Sequence, residues 1–294
     1  MNAQVVHRPV SASDLLSLTK PRLSSLVLCT CAGGVWLAPG ALTPGRWLLT
    51  LLGTAGTVGA ANALNCYVER DVDRAMARTR GRPLPAGRME PAVALRFALA
   101  LASVSLPVLA LGSNLLTTGL GLLALLTYVF VYTPLKAHTD GAMLVGAVPG
   151  ALPPLMGWTA VTGRLDVGGL LLFAILFLWQ LPHFLAIALF RKAEYQAAGL
   201  QTVPLRLGDN AARWWMLVTT ALLVPVTLVL FPLHVAGRFY LGAAAGLGVA
   251  FLGVQAWGVL HRLGAGWARR SFFFSLVYLA GLFAALFMNA QARS

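Results

Sequence analysis

WLLTLLGTAGTVGAANALNCYVERDVD, residues 47–73, decides the fold. Its first twenty residues carry no charge, and about 20 apolar residues rising 1.5 Å each cross a hydrocarbon core of ~30 Å. The run then ends on Glu69, Asp71 and Asp73, three of only nine acidic residues in a chain of 294. Such a cluster at the end of a span points to a ligand. On a helix, Asn65, Glu69 and Asp73 lie four residues apart. Each step rises about 6 Å and rotates about 40°, so their oxygens share one face. Asp71 is turned away from that face, and either serves a second face or pairs with Arg74 or Arg78.

Outward from this segment the same pattern repeats. The chain is 58% hydrophobic and 11% charged, with a mean hydropathy of +0.76. Nine apolar runs are visible, roughly 23–40, 47–66, 91–111, 115–132, 141–161, 167–190, 214–232, 239–260 and 271–289. They predict an all-α polytopic membrane bundle of about nine transmembrane helices, a single domain over 1–294. Residues 1–18 read as a polar cytoplasmic tail without the pattern of a cleaved signal peptide. The net charge of +13 would suggest nucleic acid in a soluble chain. Here its placement matters more. Of 22 Lys and Arg, seventeen, Arg8 among them, fall on one set of alternate connections. Four, including Arg293, fall on the other, and Arg96 lies within a span. By the positive-inside rule the N-terminus is cytoplasmic, the C-terminus is outside, and the acidic cluster faces the cytoplasm. The lipid bilayer is the partner implied, and nucleic acid is not.

Two connections on the arginine-rich side are long, about 67–90 and 191–213, and follow the second and sixth spans. Their spacing suggests two related halves with an odd ninth span. Both loops would then overlie one central cavity open to the cytoplasmic side. Pro149, Pro153 and Pro154 in the fifth span and Pro182 in the sixth are expected to interrupt their helices and help line that cavity. Cys29, Cys31 and Cys66 form no paired motif and read as small apolar fillers.

The chemistry follows from the residue types. Asn65, Glu69 and Asp73 offer hard oxygen donors suited to Mg²⁺ bridged to a diphosphate. Arg74, Arg78, Arg80, Arg82 and Arg88 come immediately after, and a metal alone would not need them. Arg78 and Arg82 are expected to fold back over the site and bind phosphate, because Gly81 and Pro83 end any helix there. Lys136 is the cation at the inner end of the fourth span, placed to neutralise a leaving diphosphate, with Tyr132 one turn before it. Lys20 and Arg22 open the first span in the same way, although both pairs also suit interfacial anchoring. Gln180 and His183 lie deep in the sixth span, where polar groups are costly unless they face an interior. Glu194 in the second long loop either completes the metal site or pairs with Arg191 or Lys192.

At these residues the chain resembles the UbiA superfamily of intramembrane prenyltransferases, in particular its haem-modifying branch. The matching stretches are Thr19 to Arg22, Asn65 to Asp73 with Met76 to Leu84, Tyr132 to Lys136, 145–158 and 179–184. The resemblance implies transfer of farnesyl from farnesyl diphosphate to a vinyl group of haem b, with Mg²⁺ as cofactor and water added to give haem O. It makes His183 and Gln180 candidate haem contacts. It also implies a haem A synthase or cytochrome oxidase assembly partner. The chain departs from the superfamily in lacking a second aspartate-rich motif, where only Glu194 stands. It departs from the branch at Thr202-Val203-Pro204 and at Ala137-His138. Two rival readings are a prenyltransferase for an aromatic acid such as 4-hydroxybenzoate and a membrane transporter. The latter would need a polar path through several spans, which the sequence does not offer.

Overall fold

Small residues set how closely these helices approach. A computed structural model describes residues 11–291, the side chains of 289–291 excepted. The first ten residues of the expected tail, Arg8 and Arg293 therefore lie outside it. Among the described residues every regular element is helical. Helix α3 (Pro44–Val68) lies against α5 (Pro91–Gly112). A Cβ on Gly53 would sit 2.5 Å from the Leu109 nitrogen, so only glycine permits this approach. Helix α2 (Pro21–Leu37) and α8 (Ala142–Thr162) meet the same way. Cβ atoms on Gly34 and Gly157 would fall 2.0 Å from the carbonyls of Pro154 and Cys31, respectively. Where lipid gives no hydrophobic drive between helices, such close packing is a main source of association.

Among the described residues, eight helices are long and apolar enough to cross a membrane. They are α3, α5, α6 (Leu115–Leu126) with its continuation to Leu135, α8, α9 (Val167–Phe190), α12 (Gly208–Leu228), α13 (Arg238–Leu260) and α14 (Ala265–Gln291). The first expected span is α2, whose 17 residues reach only about 25 Å at 1.5 Å per residue. The seventh helix begins six residues before the expected 214 and the ninth six before 271, because each continues past its apolar stretch through charged residues such as Asp209 and Arg269.

Two further expectations change. Residues 12–18 of the expected tail form helix α1 (Ala12–Leu18), capped by Ser11 and anchored by the buried Leu18. The prolines do not interrupt their helices: α8 runs through Pro149, Pro153 and Pro154, and α9 runs through Pro182. A proline removes one backbone bond, and packing on both sides holds the rest of the helix in place.

One apolar core joins α1, α3 and α5 through Leu18, Leu64 and Ala98. A larger one joins α8, α9 and α12–α14 through Trp158, Leu176, Leu223, Phe251 and Tyr278. Between the two halves, at the end that carries the arginine-rich loops, lies the cavity.

Candidate active site

The cavity has a volume of about 1040 Å³. Both long connections reach it: Met76, Arg78 and Arg82 from the first, and Tyr195, Leu200 and Thr202 from the second. The first connection begins with α4 (Arg70–Ala75) and the second with α10 (Lys192–Ala197) and α11 (Val203–Arg206).

Helix α3 ends at Val68, and Glu69 departs from helical geometry at φ −89° and ψ 3°. The four-residue register nevertheless survives the break. Glu69 donates its N–H to the Asn65 carbonyl at 2.9 Å, and Asp73 donates to Glu69 at 2.8 Å. Asn65, Glu69 and Asp73 therefore lie together as their spacing predicted, and all three are buried. Asp71 lies outside this set, exposed and paired with Arg74 at 3.1 Å.

Each oxygen donor is met by a cation from a different part of the chain. Lys20 donates to Asn65 Oδ1 at 2.7 Å. Arg82 donates to Asp73 Oδ2 at 2.7 Å. Lys136 is in direct ion-pair contact with Glu69 Oε1. The Asn65 amide donates to Thr133 Oγ1 at 3.1 Å, which leaves its oxygen for the cation side. Two buried carboxylates and a buried amide oxygen form a hard donor set that fits Mg²⁺, which takes one or two carboxylates and completes its shell with phosphate and water. Among the described residues no three His, Cys, Asp or Glu side chains cluster as a metal-only site would.

Lys20 reaches its position through a left-handed backbone, φ 49° and ψ 63°. A non-glycine residue held there costs on the order of 1–3 kcal/mol. The preceding Thr19 carbonyl is clamped by Asn62 at 3.2 Å and Ser24 at 2.7 Å, which fixes the turn. Burial pulls the Lys20 ammonium below the usual lysine value, while the charges of Glu69 and Asp73 oppose that fall.

Beyond Leu126 the fourth apolar run winds into a π-helix, Thr127–Tyr132, before a last α-turn, α7 (Thr133–Leu135). π-Turns are rare and recur at functional sites. This one stacks Tyr128 on Tyr132 with ring centroids 5.5 Å apart, and both line the cavity. Gly146 makes room for the second ring, since a Cβ there would lie 2.5 Å from it. Sequence reasoning found Tyr132 but missed Tyr128 and Thr133. The four-residue Tyr-to-Tyr spacing was the available signal.

Three expected site residues lie elsewhere. The His183 ring rests between Trp179 and Phe272, with centroids 4.8 and 4.6 Å away, and its Nδ1 bonds Ser275 Oγ at 2.7 Å. The Gln180 amide donates to the carbonyls of Ala147 and Leu176, at 3.2 and 3.0 Å, and packs against Gly150. Neither lines the cavity; each joins α9 to a neighbouring helix. Glu194 pairs with Arg191 at 2.9 Å and does not reach the oxygen donors. Arg22 and Arg78 do line the cavity, and both are exposed.

The family model for UbiA prenyltransferases matches residues 26–277. The chain belongs to the UbiA prenyltransferase family. A relative from Myxococcus xanthus, protoheme IX farnesyltransferase, is 65% identical over the full length of both chains. Two solved UbiA-like folds are more distant in sequence. One, described as a digeranylgeranylglyceryl phosphate synthase, superposes with a TM-score of 0.82 at 16% identity, covering 95% of this chain and 98% of its own. The other, a UbiA homologue from Archaeoglobus fulgidus bound to DMAPP and Mg²⁺, gives 0.69 at 19% identity, covering 93% and 99%. The chain is thus an integral membrane protein, and its buried oxygen donors Glu69 and Asp73 line a cavity between its helices.

Proposed function

We propose that the chain transfers a farnesyl group from farnesyl diphosphate to a vinyl group of haem b, with addition of water to give haem O. One observation carries the reading: three buried oxygen donors are each met by a cation that lines the cavity, which also has an apolar wall of Met143, Phe184, Leu185, Ile187 and Ala188. A volume near 1040 Å³ stands at the upper end of the range for small-molecule pockets, about 300–1,000 Å³, as large substrates require.

Asn65, Glu69 and Asp73 would hold Mg²⁺, which when bound offsets the charge that grows on the departing diphosphate. Lys20, Arg82 and Lys136 stand beside those donors and add fixed positive charge at the same place, where low dielectric strengthens it. Tyr132, next to Lys136, is placed to donate to a diphosphate oxygen. The carbon–oxygen bond breaks to an allylic cation. Met143, Phe184 and Leu185 line the apolar wall and keep water from that cation. The vinyl π-bond then attacks, and the cation that forms beside the porphyrin takes up water as a hydroxyl, the released proton passing to the departed diphosphate. No side chain acts as a nucleophile in this sequence.

The bacterial relative supports an inner-membrane location, and the positive-inside distribution supports an N-terminus and a cavity on the cytoplasmic side. Mass spectrometry of haem extracted from cells with and without the chain tests the reaction. A gain of one farnesyl plus water is expected. Unchanged haem together with a prenylated aromatic acid would overturn the reading in favour of the other acceptor.

A further inference from the structure

The charges that line the cavity divide into two groups. Lys20, Arg82 and Lys136 each touch one of the oxygen donors. The remaining carboxylate of the lining, Asp140, is matched by Arg206 at 2.7 Å. Arg22 and Arg78 are left over: among the described residues neither has a carboxylate within ion-pair distance, and both are exposed where the cavity meets solvent. Arg78 lies near Tyr195. Burial pushes the Tyr195 phenol up, and Arg78 and then Arg191 pull it back.

Charge balance says what the two arginines are for. A prenyl diphosphate carries three negative charges when ionised, and Glu69 and Asp73 add two. One divalent cation with Lys20, Arg82 and Lys136 matches these five. Adding Arg22 and Arg78 to the same group would leave it over-neutralised by two. Two exposed cations at the rim instead suit a ligand with two carboxylates and an apolar body.

We infer that Arg22 and Arg78 form a separate subsite that binds the two carboxylates of the acceptor. This rests on the haem reading above and deepens it. In haem b the two propionates lie on the edge of the macrocycle opposite the vinyl groups. Holding the propionates at the rim turns the vinyl edge inward, towards Tyr128, Tyr132 and the diphosphate end. Arginine suits the task because its planar fork meets a carboxylate with two parallel hydrogen bonds. The subsite thus fixes which edge of the acceptor reaches the allylic cation. A monocarboxylate such as a hydroxybenzoate would satisfy only one of the two.

The test compares haem b with its dimethyl ester, which keeps the macrocycle and vinyl groups but has no carboxylates. The full chain in lipid nanodiscs is titrated with each porphyrin, in Mg²⁺ and inorganic pyrophosphate, and binding is read from the Soret band. The wild-type chain should bind haem b at least roughly tenfold tighter than the ester, as charge-assisted hydrogen bonds of this kind imply. Arg22→Gln with Arg78→Gln should erase that preference and leave pyrophosphate affinity within about twofold. Retained pyrophosphate binding also shows that the variant is folded. The inference is overturned if the double variant still prefers haem b, if the wild-type chain never does, or if the loss falls on pyrophosphate instead. A wild-type chain that binds neither porphyrin overturns the haem reading itself, and that outcome is distinct from binding both equally.

Discussion

Arg82→Gln should change two affinities in opposite directions. Arg82 Nη1 lies 2.7 Å from Asp73 Oδ2, with side-chain exposures of 29% and 5%. Unit charges about 4 Å apart at an effective dielectric of ~20 attract by about 4 kcal/mol. Partial exposure of the guanidinium lowers this to about 2 kcal/mol. A divalent cation that seeks the same oxygen must displace that contact. Removing it should therefore tighten metal binding in the absence of diphosphate by roughly 30-fold. Diphosphate loses a charge-assisted donor and should weaken by about 1.5–3 kcal/mol, or roughly 10- to 100-fold. Mn²⁺ titrated into the solubilised protein and followed by electron paramagnetic resonance measures the first quantity. Calorimetric titration of pyrophosphate in excess Mn²⁺ measures the second. If metal affinity falls or stays the same while the protein still melts near the wild-type temperature, Arg82 does not compete for Asp73 and the argument fails.

Alanine at Asn65, Glu69 and Asp73 together should abolish farnesyl transfer while circular dichroism keeps its helical signal; retained turnover would remove the site from this place. Gly146→Ala pushes a methyl into the Tyr132 ring and should cost about 1–3 kcal/mol in thermal stability as well as turnover. Gly242→Ala, with nothing within 4 Å, is the control that should not. Because burial lowers the Lys20 ammonium below the ordinary 10.5, turnover should fall at an alkaline pH beneath the usual lysine range. Lys20→Arg, which keeps its proton, should remove that limb of the profile. Stability runs the other way: burying the charged form costs most below the folded value, and that cost fades as pH rises towards 10.5. His183→Phe should lose about 1 kcal/mol with the Ser275 bond and keep haem affinity in a Soret titration, whereas a large loss of affinity would return His183 to the site.

The oxygen donors were legible because their order depends on one local period. Asn65, Glu69 and Asp73 need only the four-residue step of a helix, and that step survives the break at Glu69. The bond from Lys20 to Asn65 was not legible: it spans 45 residues and exists because Asn62 and Ser24 hold the Thr19 turn against α3. The π-turn at 127–132 leaves no mark in the hydropathy of its run, so nothing set Tyr128 apart from its neighbours. Gln180 and His183 misled for a physical reason. A polar group deep in a membrane must be satisfied, and satisfaction by the Ala147 carbonyl or the Ser275 hydroxyl looks the same in sequence as satisfaction by a ligand. Glu194 shows the reverse case, since Arg191 three residues before it was always an adequate partner.

Two ionised carboxylates at the end of an apolar bundle are stable only with opposite charge beside them, because desolvation costs several kcal/mol per ion. Lys20, Arg82 and Lys136 fill that need. They come from the α1–α2 turn, the first long loop and the end of the fourth apolar run, so the contacts also fasten three segments around one point. Cation and diphosphate arriving together can release all three side chains at once: the metal takes over the oxygens, and the phosphates take over the ammonium and guanidinium groups. Either ligand alone leaves one set of charges unmatched in low dielectric. Binding should therefore be strongly cooperative, with Mg²⁺ and pyrophosphate each raising the other's affinity by the same factor, as linkage requires. Reciprocal calorimetric titrations measure both factors. Independent binding of the two, with each affinity unmoved by the other, would mean that the three cations do not change partners.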